Sequence, residues 1–437
     1  MTDDLAARVA ATDPGALLPA RRAEEAARVE GPLTLVASAP LWDRLVYLVV
    51  RDRRGVSYGV PAVDDGGSVR RAVPGDGAAS VLTTLRAADA PPPWSVTAFG
   101  DVAADGVARD DEHSIDVDQT NELVIVGDRV VKWMLHPVTG EQPGPRRLAA
   151  LESAGFPGVP RTRGLVHVVV DGEPMLVAIV TDLVVGGQDG WDWAVDDVRA
   201  LAREGRGADW PMQLGRLVAQ MHVALAAAGT SRASDEDALR WLADARSDAR
   251  AADLDPAVVD DVDRWLALLG SASGTSVMDV HGDLHIGQVM RAGEPPQYLV
   301  IDFDGNPTQE LSDRLRQQPA ARDVAGMLAS LDHVGRVVLH RTADLTDEQR
   351  ERVRRWMEEA QHDFLAGYRD ALGAAGQSGL LDDRLLLPMQ VQQECREYAY
   401  ATRYLPHWRY VPDAALPDLL ARADGHETDI IEGTSAP

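Results

Sequence analysis

Three side chains in the second half of this 437-residue chain have the types and order of a phosphoryl-transfer site. Asp283 lies in Val280-His281-Gly282-Asp283-Leu284-His285-Ile286-Gly287-Gln288, five residues before the Gln288 amide, and Asp302 follows the apolar run Leu299-Val300-Ile301. Moving a phosphoryl group asks little covalent work of a protein, which has to position the acceptor and neutralise phosphate charge. Asp283, left without a metal, is the group to orient an acceptor hydroxyl and receive its proton. Asp302 and the Gln288 carbonyl are hard oxygen donors for Mg²⁺, and ATP phosphates and water would complete the octahedral shell. Taken singly, His-Gly-Asp is an ordinary turn and Ile-Asp-Phe-Asp an ordinary strand end. In this order, with a strand between them, they point to ATP- and Mg²⁺-dependent transfer.

Those residues need elements to hold them. Tyr298-Leu299-Val300-Ile301, bounded by Pro295-Pro296, reads as a short buried strand that delivers Asp302 at its end. Upstream, Leu123-Val124-Ile125-Val126, the turn Gly127-Asp128 and Arg129-Val130-Val131-Lys132-Trp133 read as a hairpin. Lys132 in its second strand is the candidate partner of the α- and β-phosphates. Two further apolar strands, 165–170 and 176–180, lead into Thr181-Asp182-Leu183-Val184, the position of a hinge whose backbone would bond adenine. From about residue 195 the period is helical. Leu214, Leu217, Val218, Met221 and Leu225 form one apolar stripe, which makes His222 part of a packing helix. Thr346-Asp347-Glu348-Gln349 is a capping box, and Gln390, Gln393, Glu394 and Glu397 form a polar helix stripe.

The loop His281–Gln288 and the segment Asp302-Phe303-Asp304-Gly305-Asn306-Pro307 resemble the aminoglycoside phosphotransferase-like superfamily of small-molecule kinases. Within it they are most similar to bacterial maltokinases and actinobacterial glucosamine kinases, with matching segments from about Asp118 to Val411. The resemblance implies an α+β, bilobal, eukaryotic-protein-kinase-like fold. An N-terminal cap subdomain would span 1–98, a small β-rich nucleotide-binding lobe 99–187, and a mostly helical C-lobe with the catalytic loop and acceptor site 188–437. It also implies that Gln119, Thr120 and Asn121 contact phosphate in place of a Gly-rich loop, and that Asp323 anchors the catalytic loop. Asp283, Asp304, Glu394, Glu397 and His281 would then serve the acceptor.

Two departures bear on this expectation. Arg146 and Arg147 stand where related maltokinases carry the acidic partner of the lysine, so Glu141 or Glu152 would have to serve; if one of them does, Arg146→Glu is expected not to be severely damaging. Cys395 follows Glu394, and Trp408-Arg409-Tyr410-Val411-Pro412 comes later, where the maltokinase pattern has a lysine and then Trp-Leu-Pro-Ile-Pro. The acceptor expected is therefore a sugar hydroxyl of glucosamine, giving glucosamine 6-phosphate. The alternatives are maltose, an aminoglycoside or amino-alcohol, and, in a different class, a pseudokinase acting as a binding module.

Composition sets the outer limits. With 45% hydrophobic and 26% charged residues the chain has the make-up of a soluble multidomain protein. A net charge of −26 argues against nucleic-acid and anionic-membrane partners; the partner that the resemblance implies is a small-molecule sugar or amino sugar. No apolar run has the length of a membrane span, and Met1-Thr2-Asp3-Asp4 is acidic where a signal peptide is basic. The single Cys395 excludes an intrachain disulfide, so the expected location is the cytoplasm.

Overall fold

The computed structural model describes residues 2–18, 29, 31–86, 88–99, 111–114 and 121–433. They form two compact units, Met1–Glu141 with Pro160–Val185, and Gln142–Val159 with Gly186–Pro437.

The first unit is built on two antiparallel sheets. One has the order β1 (Thr34–Trp42), β2 (Leu45–Arg51), β3 (Ser57–Asp64), β4 (Val69–Arg71). Alternation along β2 sends Leu48 and Val50 to a core with Leu5 and Val9 of helix α1 (Thr2–Ala11), while Tyr47 and Val49 face the other way. The Tyr47 ring stacks on Trp133 of the second sheet at 5.7 Å between centroids. That sheet has the order β5-β9-β10-β8-β7-β6, made by β5 (Trp94–Ala98), β6 (Glu112–Ser114), β7 (Glu122–Val126), β8 (Arg129–Trp133), β9 (Thr162–Val170) and β10 (Glu173–Asp182). The β7–β8 hairpin turns at Gly127, φ 56°, as its two-residue turn predicts. Helix α2 (Ala78–Thr84) is tied down by buried Glu112, which accepts hydrogen bonds from the N–H groups of Gly75, Gly77 and Ser80. Residues 1–98 and most of 99–187 thus share one unit, whereas 142–159 packs with the second.

The second unit is mostly helical. Its longer helices are α3 (Pro143–Ser153), α4 (Gly190–Glu204), α5 (Pro211–Ala226), α6 (Asp235–Ala251), α7 (Pro256–Leu266), α8 (Ala321–Arg341), α9 (Asp347–Ala374), α10 (Leu386–Tyr404) and α11 (Tyr410–Gly433). Helix α8 is buried almost all round, which is why its polar members Asp323, Ser330 and His333 all have partners inside the protein. The α5 stripe is buried through Leu214, Val218, Met221 and Leu225. The capping box at Thr346 and Gln349 opens α9, whose Val353, Trp356, Met357, Ala360, Phe364 and Tyr368 are all buried. Helices α5 and α9 approach so closely at Gly215 that a Cβ there would collide with the Phe364 carbonyl. Between α7 and α8 lie the strand β12 (Ser276–Met278), paired with β11 (Thr230–Arg232), and the hairpin β13 (Val289–Ala292) and β14 (Gln297–Val300). No described helix is long and apolar enough to cross a membrane.

Candidate active site

The loop after β12 is held by its backbone. Asp323, at the start of α8 and 1% exposed, accepts the N–H of His281 at 2.6 Å and of Gly282 at 2.8 Å. His222 Nε2 donates to the same carboxylate at 3.0 Å, and the other His222 nitrogen bonds the Tyr368 hydroxyl at 2.6 Å. Burial alone would raise the Asp323 pKa; the His222 bond and charge, His281 and the Gly282 N–H outweigh it and hold the carboxyl below its ordinary value. The expected anchoring role of Asp323 therefore has a geometry, and His222 belongs to that anchor. Its place could not be read from the helical stripe, because Tyr368 and Asp323 lie 146 and 101 residues away.

His281 does not serve an acceptor. It is 0% exposed; Nε2 donates to the Ile301 carbonyl at 2.8 Å, and Nδ1 accepts the Asp283 N–H at 3.3 Å. Burial lowers its pKa, so the ring is a neutral strut between the two motifs. That corrects its expected contact with substrate.

Asp283 is half-buried, and its pKa is raised to about 7, first by burial, then by the charges of Asp302 and Glu397, with Arg396 opposing. The structure thus brings Asp302 and Glu397 each within electrostatic reach of Asp283. Gln288 closes a short 3-10 turn, Ile286–Gln288, and its carbonyl accepts the Ile301 N–H at 2.9 Å, which ties the two intended metal donors through backbone. His285 Nδ1 accepts the Gly287 N–H at 3.1 Å, and burial, with the neighbouring His281, holds the ring pKa at about 4. Asp302 has φ 62°, a left-handed conformation that costs a non-glycine residue about 1 kcal/mol or more and accumulates at working sites. Among the described residues no three His, Cys, Asp or Glu cluster to enclose a metal. Mg²⁺ does not need such a cage, since it is commonly held by one or two protein oxygens plus phosphates and water. The carboxylate of Asp302 and the amide oxygen of Gln288 fit that requirement.

On α10 the polar stripe divides. Glu394 is 3% exposed, its Oε1 accepts from His333 Nε2 at 2.9 Å, and its buried Oε2 has no partner among the described residues. A sugar cannot reach that carboxylate as it stands, which corrects its expected place at the acceptor. Burial pulls the His333 pKa down, but the Glu394 charge outweighs it and raises the imidazole to about 9. Burial likewise pushes Glu394 up against His333. With the partners 2.9 Å apart, one proton sits between them and the pair is neutral as a whole. Glu397, one turn on, is half-buried, receives Gln393 Nε2 at 3.1 Å, and is the stripe's carboxylate whose charge reaches Asp283. Asp304 is also half-buried, and its backbone carbonyl accepts Arg314 Nη1 at 3.2 Å. Trp191 packs edge-on against Trp408 at 5.5 Å, with His285 at 6.4 Å on its other contact.

Helix α3 carries residues that sequence reasoning left without a function. Arg146 pairs with Asp279 at 2.5 Å and donates to the Leu315 carbonyl at 2.7 Å, so its replacement by glutamate would set two carboxylates together. The expectation that Arg146→Glu is not severely damaging is corrected on that ground. Arg147 is 1% exposed and donates to three backbone carbonyls: His281 at 3.0 Å, Phe303 at 2.8 Å and Arg314 at 2.7 Å. The signal available in the sequence was the arginine pair itself, standing where an acid was expected.

In the first unit, Lys132 is half-buried on β8, opposite Ile179 of β10 and Leu123 of β7. Gln119 and Thr120 lie outside the described residues. Asn121 Oδ1 accepts the Leu135 N–H at 3.1 Å. At the expected hinge, Thr181 is paired within the sheet. The Asp182 carboxylate grips Arg163 at 2.6 and 2.7 Å and Arg129 at 3.0 Å. The N–H groups of Asp182 and Leu183 are bonded to Arg161 and Asp128 carbonyls, each at 2.9 Å. Of these four residues, Val184 alone makes no hydrogen bond among the described residues.

No protein-family model matches the chain. It is 45% identical over 441 residues to a glucosamine kinase of Streptacidiphilus jiangxiensis, covering 96% of this chain and 99% of that protein. It is 40% identical over 386 residues to a glucosamine kinase of Mycolicibacterium smegmatis, covering 83% and 92%. A solved structure of a glucosamine kinase in complex with glucosamine, ADP and inorganic phosphate matches with a TM-score of 0.77 at 41% identity, over 96% of this chain and 100% of that one.

Proposed function

The chain belongs to the glucosamine kinase family, and from that premise we propose that it transfers the γ-phosphoryl group of ATP to a hydroxyl of glucosamine. The observation that carries this reading is the placement of Asp283 on a loop pinned by Asp323, with Asp302 and Glu397 close enough to raise its pKa to about 7. A proton acceptor works best with a pKa raised towards the operating pH, and burial of Asp283 pushes its pKa in that direction. Asp283 receives the hydroxyl proton; Asp302 and Gln288 are the residues that would hold Mg²⁺. When bound, Mg²⁺ supplies neutralisation of phosphate charge. In the first unit, Lys132 is assigned to the phosphates together with Gln119, Thr120 and Asn121, and the 181–184 backbone, chiefly Val184, to the base. Glu397 and Asp304 are assigned to the protonated 2-amino group of the acceptor.

The retained Asp283, Gln288 and Asp302 weigh against a pseudokinase, and likeness to glucosamine kinases favours glucosamine over maltose or an aminoglycoside as acceptor. A small amino sugar as partner and a cytoplasmic location accord with the acidic chain and its single buried cysteine. The test is ADP release by the purified protein with glucosamine, glucose, N-acetylglucosamine and maltose, with and without Mg²⁺. Glucosamine should be turned over fastest and only with the metal. Better turnover of maltose, or none with any sugar, would overturn the reading.

A further inference from the structure

We propose that Arg147 is a positioning residue that holds the loop of Asp283 and the loop of Asp302 in one frame by hydrogen-bonding the backbone of both. The inference rests on the roles given to those two aspartates above. The carbonyl of His281 lies two residues before Asp283, and the carbonyl of Phe303 immediately follows Asp302; one terminal nitrogen of Arg147 takes both, at 3.0 and 2.8 Å. The other terminal nitrogen takes the Arg314 carbonyl at 2.7 Å, and Arg314 in turn donates to the Asp304 carbonyl at 3.2 Å.

The loops are shaped to receive the guanidinium. Gly282 (φ 84°) and Gly305 (φ 74°) flank it, and a Cβ at Gly305 would lie 3.1 Å from Arg147 Nη1, tighter than side chains ordinarily pack. A planar fork with fixed donors can serve carbonyls on separate segments; an ammonium on a flexible stem holds them less firmly. Arg147 spends its three hydrogen bonds on carbonyls, and its Nε–H is buried without a partner among the described residues. A buried cation satisfied only in part is a costly way to fill a core, and an apolar side chain would fill it at less cost. What it gains is relative placement of two groups that must act in one phosphoryl transfer, where misplacement by about 1 Å can cost on the order of 10²-fold in rate.

The test uses the full-length protein with Arg147→Lys and Arg147→Met. Amide hydrogen exchange is measured without nucleotide or metal, alongside thermal unfolding and steady-state kinetics. Exchange should rise by about tenfold in both 279–288 and 301–306 together, while α5 and α9 keep their protection. The kcat should fall about 10²-fold for Arg147→Met and about tenfold for Arg147→Lys, with KM for glucosamine and ATP within about threefold of wild type. Loosening of one loop alone, or of the whole unit in proportion to lost stability, would overturn the proposal. So would near-normal kcat in either folded variant. Should Arg147→Met fail to fold, Arg147→Lys decides on the same terms. The exchange result does not depend on the reaction. Normal turnover by Asp283→Asn would sink the catalytic reading and leave the loop coupling to be judged by exchange alone.

Discussion

Asp283 carries a charge that the folded protein would shed if stability were the only consideration. Its pKa of about 7 stands above the ordinary carboxyl value, so between those two pH values the folded state binds the proton more tightly than the unfolded state does. Stability therefore falls as pH rises from about 4 and levels off above about 7. Asp283→Asn removes that cost. In metal-free protein it should melt roughly a few degrees above wild type at pH 8, with the gap closing towards pH 4. The same substitution should lower kcat by about 10²–10⁴ while leaving ATP binding nearly intact. The kcat/KM of wild type should decline on the acid side of the Asp283 pKa, which lies below about 7 once Mg²⁺ neutralises the Asp302 charge. A flat difference in melting temperature across pH, or near-normal turnover, would contradict the assignment. That the segments of Asp283, Gln288 and Asp302 come together was legible in the sequence, because they are short, ordered and joined by a strand. Arg147 was not, since its three carbonyl partners lie 134, 156 and 167 residues away and backbone acceptors leave no mark on residue types.

Helices α3 and α10 show how far periodicity reaches. The stripe Gln390, Gln393, Glu394, Glu397 follows from helical spacing, but spacing does not say which carboxylate meets a buried histidine on α8. That partner decides the matter: Glu394 is enclosed with His333, and Glu397 remains half-buried, with its charge reaching Asp283. The two substitutions should therefore separate. Glu397→Gln should erode the preference for glucosamine over glucose, expected at roughly 10- to 150-fold in kcat/KM from a charged hydrogen bond of about 1.5–3 kcal/mol. Glu394→Gln should act chiefly on stability. His333 has a folded pKa of about 9, above its ordinary value of 6.5, so its contribution is fully present below about 6.5 and is lost as pH rises through about 9. In Glu394→Gln that decline between pH 6.5 and 9 should be absent from thermal melts; if it persists, another group is responsible. On α3, Arg146→Glu faces Asp279 with a second carboxylate and should destabilise the protein by about 2 kcal/mol, with a drop in turnover. Wild-type stability in that variant would mean the ion pair contributes nothing.

At the scale of the molecule, the order of patterns along the chain was enough to place a β-rich unit before a mostly helical one. The grouping of 142–159 with the second unit was not legible, because it depends on the packing of α3 against the loop of Asp283 and not on any feature of α3 alone. Net charge is legible at this scale and has a kinetic consequence. A protein of charge −26 raises the local concentration of cations and lowers that of anions over distances of about a Debye length, roughly 10 Å at 0.1 M salt. Glucosamine is a cation, glucose is neutral and MgATP is an anion, so the three ligands report one field with three signs. Between about 20 mM and 0.5 M of an inert salt, KM for glucosamine should rise by about threefold. Over the same range KM for glucose should stay level, and KM for MgATP should fall or hold. The three are measured on one enzyme preparation at fixed pH and free Mg²⁺. If all three constants move together, the salt is acting on the protein itself, and the acidic surface has no part in gathering the amino sugar.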